Sequence, residues 1–478
     1  MDRVRGMPMG RREGRQTPLW ISAAELSRTG GHRFYEKLNE LLAEAKFDLH
    51  VEEICAPYFE EDGGSGRPSV PPGVYFRMLF VGYFEGIESE RGLEWRCADS
   101  LSLRAFLGVL PNERVPDHST LSRMRTRLDG EVYEEIFRQV LRIIEKKGLL
   151  RGKVAGVDST YLRADASMKS IVRKDTRDDY TTYLKKLCEE QGTAEPTVED
   201  ARRMDRARKG KKVSNDDWVS PTDGDARIVR LKDGRTRLGY KAEHVVDLDT
   251  GAVVAVELYA GNDADTATLK PSLEAARENI DAARAESSDD DDDDAPPPAA
   301  PATDERAIIE VVADKGYHKV ELIFELGRAE YRTYIPVPDQ KGKRQFADKG
   351  GMLGREAFHN NRARVRRTKG KELLRRRGER IERTFAHACE TGAHRRLRLR
   401  GRENARKRYL VHAAALNLGL VMRTAFGHGT PRQAAAVLIF LIAAFRVLGN
   451  LLVHLRDVVV GTLLPTAGDS RPATAAAA

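Results

Sequence analysis

Three acidic side chains stand where their type and setting could serve a divalent cation. Asp158 follows Lys153-Val154-Ala155-Gly156-Val157 and Asp314 follows the run from Ile308 to Ala313, two apolar stretches that read as buried strands; Glu382 lies in the arginine-rich segment RRRGERIERTFAH. A carboxylate at the end of a buried strand can point into the crevice beside a sheet. Oxygen donors of this kind suit Mg2+ or Mn2+ better than imidazole or thiolate does. A pair of such ions, about 3.5–4 Å apart, is suited to displacement at phosphorus, because it neutralises charge on the five-coordinate centre and makes a nucleophile from water. Each residue taken singly has a plainer reading. An Asp after a strand forms turns and caps helices, and a Glu among arginines on a helix is an i,i+4 ion-pair partner.

The elements that would position these residues change in character along the chain. Residues 1–18 are basic and lack hydrophobic period, as in a flexible arm. Residues 19–150 read as an α-helical domain: Val132, Ile136, Val140 and Ile143 recur at helical spacing, and Gly148 sits where a helix C-terminal cap belongs. In VPDHSTLSRMRTRL, Asp117 or Ser119 caps a helix that carries Arg123, Arg125 and Arg127, which either contact DNA phosphates or pair with nearby acids. From residue 151 the pattern is that of an α/β domain running to 425. Thr236–Asp247 and Ala252–Leu258 form a hairpin around Asp249-Thr250-Gly251, Leu322–Arg328 is a helix, and Tyr334–Val337 is a further strand. Within this domain, residues 170–225 are a basic helical insertion, and residues 286–303, which include six consecutive aspartates, are a disordered loop rather than a calcium site. Residues 426–478 are expected to form a C-terminal helix and a loose tail.

Composition narrows the function. The chain has 478 residues and 41% hydrophobic content, more than one core usually organises and within the range of globular proteins. Net charge is only +8, yet Asn361–Leu410 carries nineteen Lys and Arg against five Glu, which suggests a polyanionic partner. Cys55, Cys97, Cys188 and Cys389 have neither zinc-site nor disulfide-framework spacing, in keeping with a reducing cytoplasm. The basic first residues are not followed by the apolar segment of a secretory signal. The apolar stretch Ala434–Phe445 is shorter than the roughly 20 residues that span a bilayer, so it is expected to be buried or to form an oligomer contact, with no membrane partner.

Several separate motifs resemble the DDE transposases of bacterial insertion sequences, of the insertion-sequence-1182 type within the insertion-sequence-4/5 group. PPGVYFRMLFVGYFEGIESERGLEWRCADSLSLRAFLG with VPDHSTLSRMRTRL resembles the helical domain before the catalytic core. VAGVDSTYLRADASMKSIVRKDT resembles the segment of the first catalytic aspartate, VVADKGYH that of the second, and RIERTFAHACETGAHRRLRLRG that of the glutamate. The stretch from Asp225 to Thr266 resembles the central hairpin, and the likeness runs in order over residues 19 to 425.

The resemblance implies that Asp158, Asp314 and Glu382 are catalytic and hold two Mg2+ or Mn2+ ions. Glu379 is the alternative third carboxylate, because Gly378 and Cys389 stand where relatives place Arg and Lys. It also implies an RNase H-like mixed sheet with flanking helices, preceded by a helical DNA-binding domain. The partners would be double-stranded DNA, as terminal inverted repeats and as target, and a second copy of the chain on that DNA, in the cytoplasm and nucleoid. Arg123, Arg125, Arg127, Lys315, Tyr317, His318, Arg380, Arg383, Arg395 and Arg396 are the expected DNA contacts, since guanidinium groups clamp phosphates. A descendant that binds DNA without cutting it, and another RNase H-like nuclease, are the alternatives.

Overall fold

The order of the elements follows the change in hydrophobic period near residue 150. The computed structural model describes residues 32–59, 69–209, 213–231, 234–285, 308–338 and 351–435, with 446–447 and 451–452. The arm at residues 1–18, the acidic loop at 286–303 and most of Ala434–Phe445 lie outside the described residues.

Among the described residues seven α-helices come first: α1 (Arg33–Glu44), α2 (Phe47–Cys55), α3 (Pro72–Glu85), α4 (Glu90–Ala98), α5 (Leu101–Leu107), α6 (His118–Arg127) and α7 (Gly130–Lys146). Local chemistry sets their limits. Ser89, Ser100 and Asp117 accept backbone N–H bonds at the starts of α4, α5 and α6, and Asp117 rather than Ser119 is the cap of α6. Beyond α7, Gly148 takes a φ of 68°, the left-handed conformation that ends the helix. Val132, Ile136, Val140 and Ile143 are all buried on α7, as their spacing predicts.

The rest alternates: β1 (Val154–Arg163), β2 (Val172–Arg173), α8 (Tyr180–Glu190), α9 (Val198–Ala207), β3 (Trp218–Val219), β4 (Arg227–Arg230), β5 (Thr236–Asp247), β6 (Val253–Ala260), α10 (Asp265–Ala285), β7 (Glu310–Val312), α11 (Val320–Arg328), β8 (Arg332–Tyr334), α12 (Gly351–Arg366), α13 (Thr368–Glu390) and α14 (Arg402–Phe426). A helical region is thus followed by a mixed α/β domain. In its sheet, β5 lies between β1 and β6 and pairs antiparallel with both, while β1, β7 and β8 run parallel in that order. Short β4 extends β5 beside β6. The insertion from residue 170 holds β2, α8, α9 and β3, with a small core of its own around Leu184, Cys188 and Ala201.

One contiguous apolar core joins the helical region to the sheet. Its axis is α14, buried from Tyr409 to Leu418 and packed against α3, α7 and β6. A segment from Arg402 to Ala435 is long and apolar enough to cross a membrane, but most of it is buried within the protein, as a core helix would be. Charged residues tie α14 in place. Arg406 donates to Glu134 of α7 at 2.6 Å and to Glu257 of β6 at 3.2 Å, Lys407 donates to the Leu128 carbonyl at 2.8 Å, and Arg408 reaches Glu90 of α4.

Candidate active site

Asp158 does not end its strand, as the sequence suggested. β1 runs on to Arg163 because β5 pairs with it throughout, and Asp158 sits mid-strand opposite His244. The parallel register sets Gly156 of β1 beside Val312, the last residue of β7, so Asp158 comes two residues further along β1 and Asp314 two residues past the end of β7. Two carboxylates 156 positions apart in sequence thereby lie beyond the same register pair of two neighbouring strands.

Asp158 is bound on both oxygens. Its Oδ1 accepts the Ser159 amide at 2.8 Å, and its Oδ2 accepts from Arg377 Nη1 at 3.2 Å and Nη2 at 3.4 Å. Arg377 reaches it from α13, which packs directly onto β1. Gly156 permits that approach: a Cβ there would lie 2.5 Å from Leu248 Cδ2 and 3.1 Å from Ile381 Cδ1. Beside Asp158, His244 is fully buried and ties α13 to α14. Thr384 Oγ1 donates to the Ile381 carbonyl, so His244 Nδ1 donates to Thr384 at 2.9 Å, and His244 Nε2 accepts from the Tyr409 hydroxyl at 2.6 Å. Burial pushes the His244 pKa down to about 3, which keeps the ring neutral and suited to one bond of each kind.

Asp314 follows β7 and caps a single 3₁₀ turn, Lys315–Tyr317, by accepting the Gly316 amide at 2.6 Å. Lys315 is exposed at this turn. Tyr317 is not, which corrects its expected contact with DNA: the ring is buried and the hydroxyl donates to Glu243 at 2.7 Å, so it cannot reach a phosphate. The residue after it, His318, packs edge-on against Phe358 of α12, with centroids 5.7 Å apart.

On α13, Arg377, Ile381 and Thr384 face inward at i, i+4 and i+7, leaving Glu382 exposed. Among the described residues Glu382 has no ion-pair partner, whereas Glu379 accepts from Arg383 at 3.1 Å and faces Arg375 at 3.9 Å. Among the described residues no three acidic, His or Cys side chains are grouped closely enough to hold one ion. The donors nevertheless suit a hard cation, and the guanidinium of Arg377 already places positive charge against Asp158.

The expected DNA contacts fall into two sets. Arg123, Arg127, Arg383 and Arg395 are exposed, Arg396 is about a third exposed beside Asp165, and Arg380 lies over Gly251. Arg125 is turned inward to Glu90 and is 13% exposed. Arg377 was missed by the sequence reading, although its spacing from Ile381 and Thr384 put it on the apolar face of α13. The buried group Lys241, Glu243 and Asp265 was missed as well. Alternation along β5 marks Lys241 and Glu243 as sharing a face, but nothing in their types says that this face is covered.

Residues 24–127 match the family described as a transposase domain (DUF772), and residues 221–418 match the transposase DDE domain. Both matches support a DDE transposase family. They support a transposase function and an enzyme of the polynucleotidyl-transferase and nuclease class, with DNA as its partner; divalent metals are general in that family. Asp314 and Glu382 lie inside the DDE match, and Asp158 lies before it. No curated protein and no solved structure matches the chain.

Proposed function

We propose that this protein is an insertion-sequence transposase of the 1182 type with an RNase H-like catalytic domain, cutting DNA at the ends of its element and joining those ends to target DNA. The observation that carries this reading is the parallel register of β1 and β7, Gly156 beside Val312, which leaves Asp158 on β1 and Asp314 just past β7 each two residues beyond that pair, with α13, the helix that bears Glu382, packed on β1. The sheet, with β1, β5 and β6 antiparallel and β7 and β8 parallel to β1, supports the RNase H-like assignment.

Asp158, Asp314 and Glu382 would hold two Mg2+ ions, which supply charge neutralisation at the phosphorus and a more acidic nucleophile. Glu382 is preferred over Glu379 because the charge of Glu379 is already balanced by two arginines of its own helix. Arg377 balances the charge of Asp158, and with cations bound there its guanidinium would be available to a phosphate of the DNA backbone. Water attacks the phosphodiester at the element end and releases a 3′ hydroxyl. That hydroxyl attacks a phosphodiester of the target, displacing the target's own 3′ oxygen, so one bond forms as one breaks. Lys315, Arg383, Arg395 and Arg396 hold the flanking phosphates. Two ends must be brought together, which calls for a dimer on DNA.

The test is a joining reaction with duplexes that carry the element ends and a supercoiled target plasmid. The expected result is a Mg2+-dependent covalent product between end and plasmid. Cutting without joining would mark a nuclease of another kind, and binding without cutting a protein that has lost the chemistry; either overturns the proposal.

A further inference from the structure

On the face of the sheet turned away from Arg377 and His244, a buried polar group converges on the turn that carries Asp314. Side chains alternate along a strand, so Ser159 points opposite to Asp158, and its partner Glu243 and the next-but-one Lys241 point the same way as Ser159. Helix α10 covers them. Glu243 is 0% exposed and Lys241 1%. Glu243 Oε2 accepts from the Tyr317 hydroxyl at 2.7 Å and from Thr268 Oγ1 at 2.8 Å. Lys241 Nζ donates to Thr268 at 2.8 Å and lies 2.7 Å from Asp265 Oδ1, which also accepts from Ser159 at 3.2 Å.

Two features link this group to Asp314. Tyr317 closes the 3₁₀ turn that Asp314 caps, so the bond to Glu243 anchors the turn from beneath. The other oxygen of Asp265, Oδ2, approaches the same turn: a Cβ built on Gly316 would lie 2.7 Å from it and 2.9 Å from Asp314 Oδ1. The two carboxylate oxygens are therefore separated by no more than those two lengths laid end to end, and only a residue without a side chain fits between them.

We propose that Lys241, Glu243, Asp265 and Tyr317 are positioning residues for Asp314 and set the affinity of the site for a divalent cation. Tyr317 and Glu243 fix the turn. Asp265 adds negative potential beside Asp314 through Oδ2, while Lys241 and Ser159 hold its other oxygen, Oδ1, in place. Groups that orient a ligand in this way typically change metal affinity by about 10- to 100-fold. This inference rests on the proposed metal chemistry.

The test uses the full chain without DNA, titrated with Mn2+ and followed by electron paramagnetic resonance, beside the Mg2+ dependence of cleavage. Tyr317→Phe and Asp265→Asn are each expected to weaken Mn2+ binding about 10- to 100-fold and to raise the half-saturating Mg2+ concentration in parallel. Cleavage at saturating Mg2+ should recover to near the parent rate, a split that general loss of structure would not produce. Glu243→Gln, which still accepts the Tyr317 hydroxyl, should bind Mn2+ better than Tyr317→Phe. Asp265 is 35% exposed, so its variant decides the matter should Tyr317→Phe fail to fold. Unchanged Mn2+ affinity in a folded Asp265→Asn overturns the positioning role. Unchanged affinity in Asp314→Asn overturns the metal reading itself, and the positioning role with it.

Discussion

The Asp158 carboxylate and the Arg377 guanidinium lie 3.2 Å apart across 219 residues of sequence, on a strand and a helix that meet because Gly156 has no side chain. The contact joins the first candidate carboxylate to the helix of the third. It also balances a charge on β1, the strand that β7 pairs with just before Asp314.

Arg377→Ala is therefore expected to destabilise the cation-free protein. The pair is mostly shielded, with 10% and 26% side-chain exposure, and its loss should amount to about 1–3 kcal/mol. Thermal melts with and without Mg2+ measure this. The loss should shrink when Mg2+ is present, and an equal loss in both conditions would separate Asp158 from cation binding.

Gly156→Ala tests the packing that brings α13 to the site. The added methyl group meets Leu248 and Ile381 at distances that force the helix away from β1. Overpacking of this kind costs about 1–3 kcal/mol. DNA affinity should survive while cleavage falls, as read from a gel-shift and a nicking assay on one preparation; cleavage at the parent rate would mean that the seating of α13 does not matter.

His244 predicts an acid limb of stability. Its folded pKa of about 3 lies below that of a free histidine, so between those values the unfolded chain binds a proton that the folded chain does not. Stability is then fully present above the unfolded value and falls as pH drops below it, by about 1.4 kcal/mol per pH unit for one group. His394 is held down to about 3 by burial and adds to the same trend. Urea unfolding from pH 7 to pH 5 should show the decline, with a shallower slope in His244→Gln. An unaltered slope in that variant would mean that His244 is not the group titrating.

The cationic run in α13 and α14 divides by where its charges go. Arg406→Met should destabilise the fold by about 1–3 kcal/mol, since it takes from Glu257 the guanidinium that balances it and leaves Glu134 with Arg138 alone. Its effect on the salt dependence of DNA binding should be nil. Arg395→Ala, at an exposed position, should leave stability alone and reduce the slope of log affinity against log salt by about 0.9 if it holds one phosphate. The reverse pattern would move the DNA surface elsewhere.

Much of this architecture was legible in the residues. The period of α7, the Asp117 cap and the hairpin around Gly251 follow from local rules, because each depends on neighbours in sequence. What was not legible depends on contacts between distant segments. The extent of β1 beyond Asp158 is set by pairing with β5, which alternation within β1 alone does not reveal. Tyr317 reads as a polar aromatic beside a candidate aspartate, and only Glu243, 74 residues away, shows why it is buried. Net charge in Asn361–Leu410 suggested one surface, yet Arg377, Arg406, Lys407 and Arg408 are spent on internal partners. Charge counted along a chain does not distinguish a cation that seeks a phosphate from one that holds two elements together.

The rate of Mg2+-dependent cleavage of end-containing DNA tests the role of the three carboxylates most directly. Asp158→Asn, Asp314→Asn and Glu382→Gln should each lower that rate by about a hundred- to a thousand-fold with DNA binding retained, while Glu379→Gln stays near the parent rate. Parental cleavage by any of the first three variants would contradict the account.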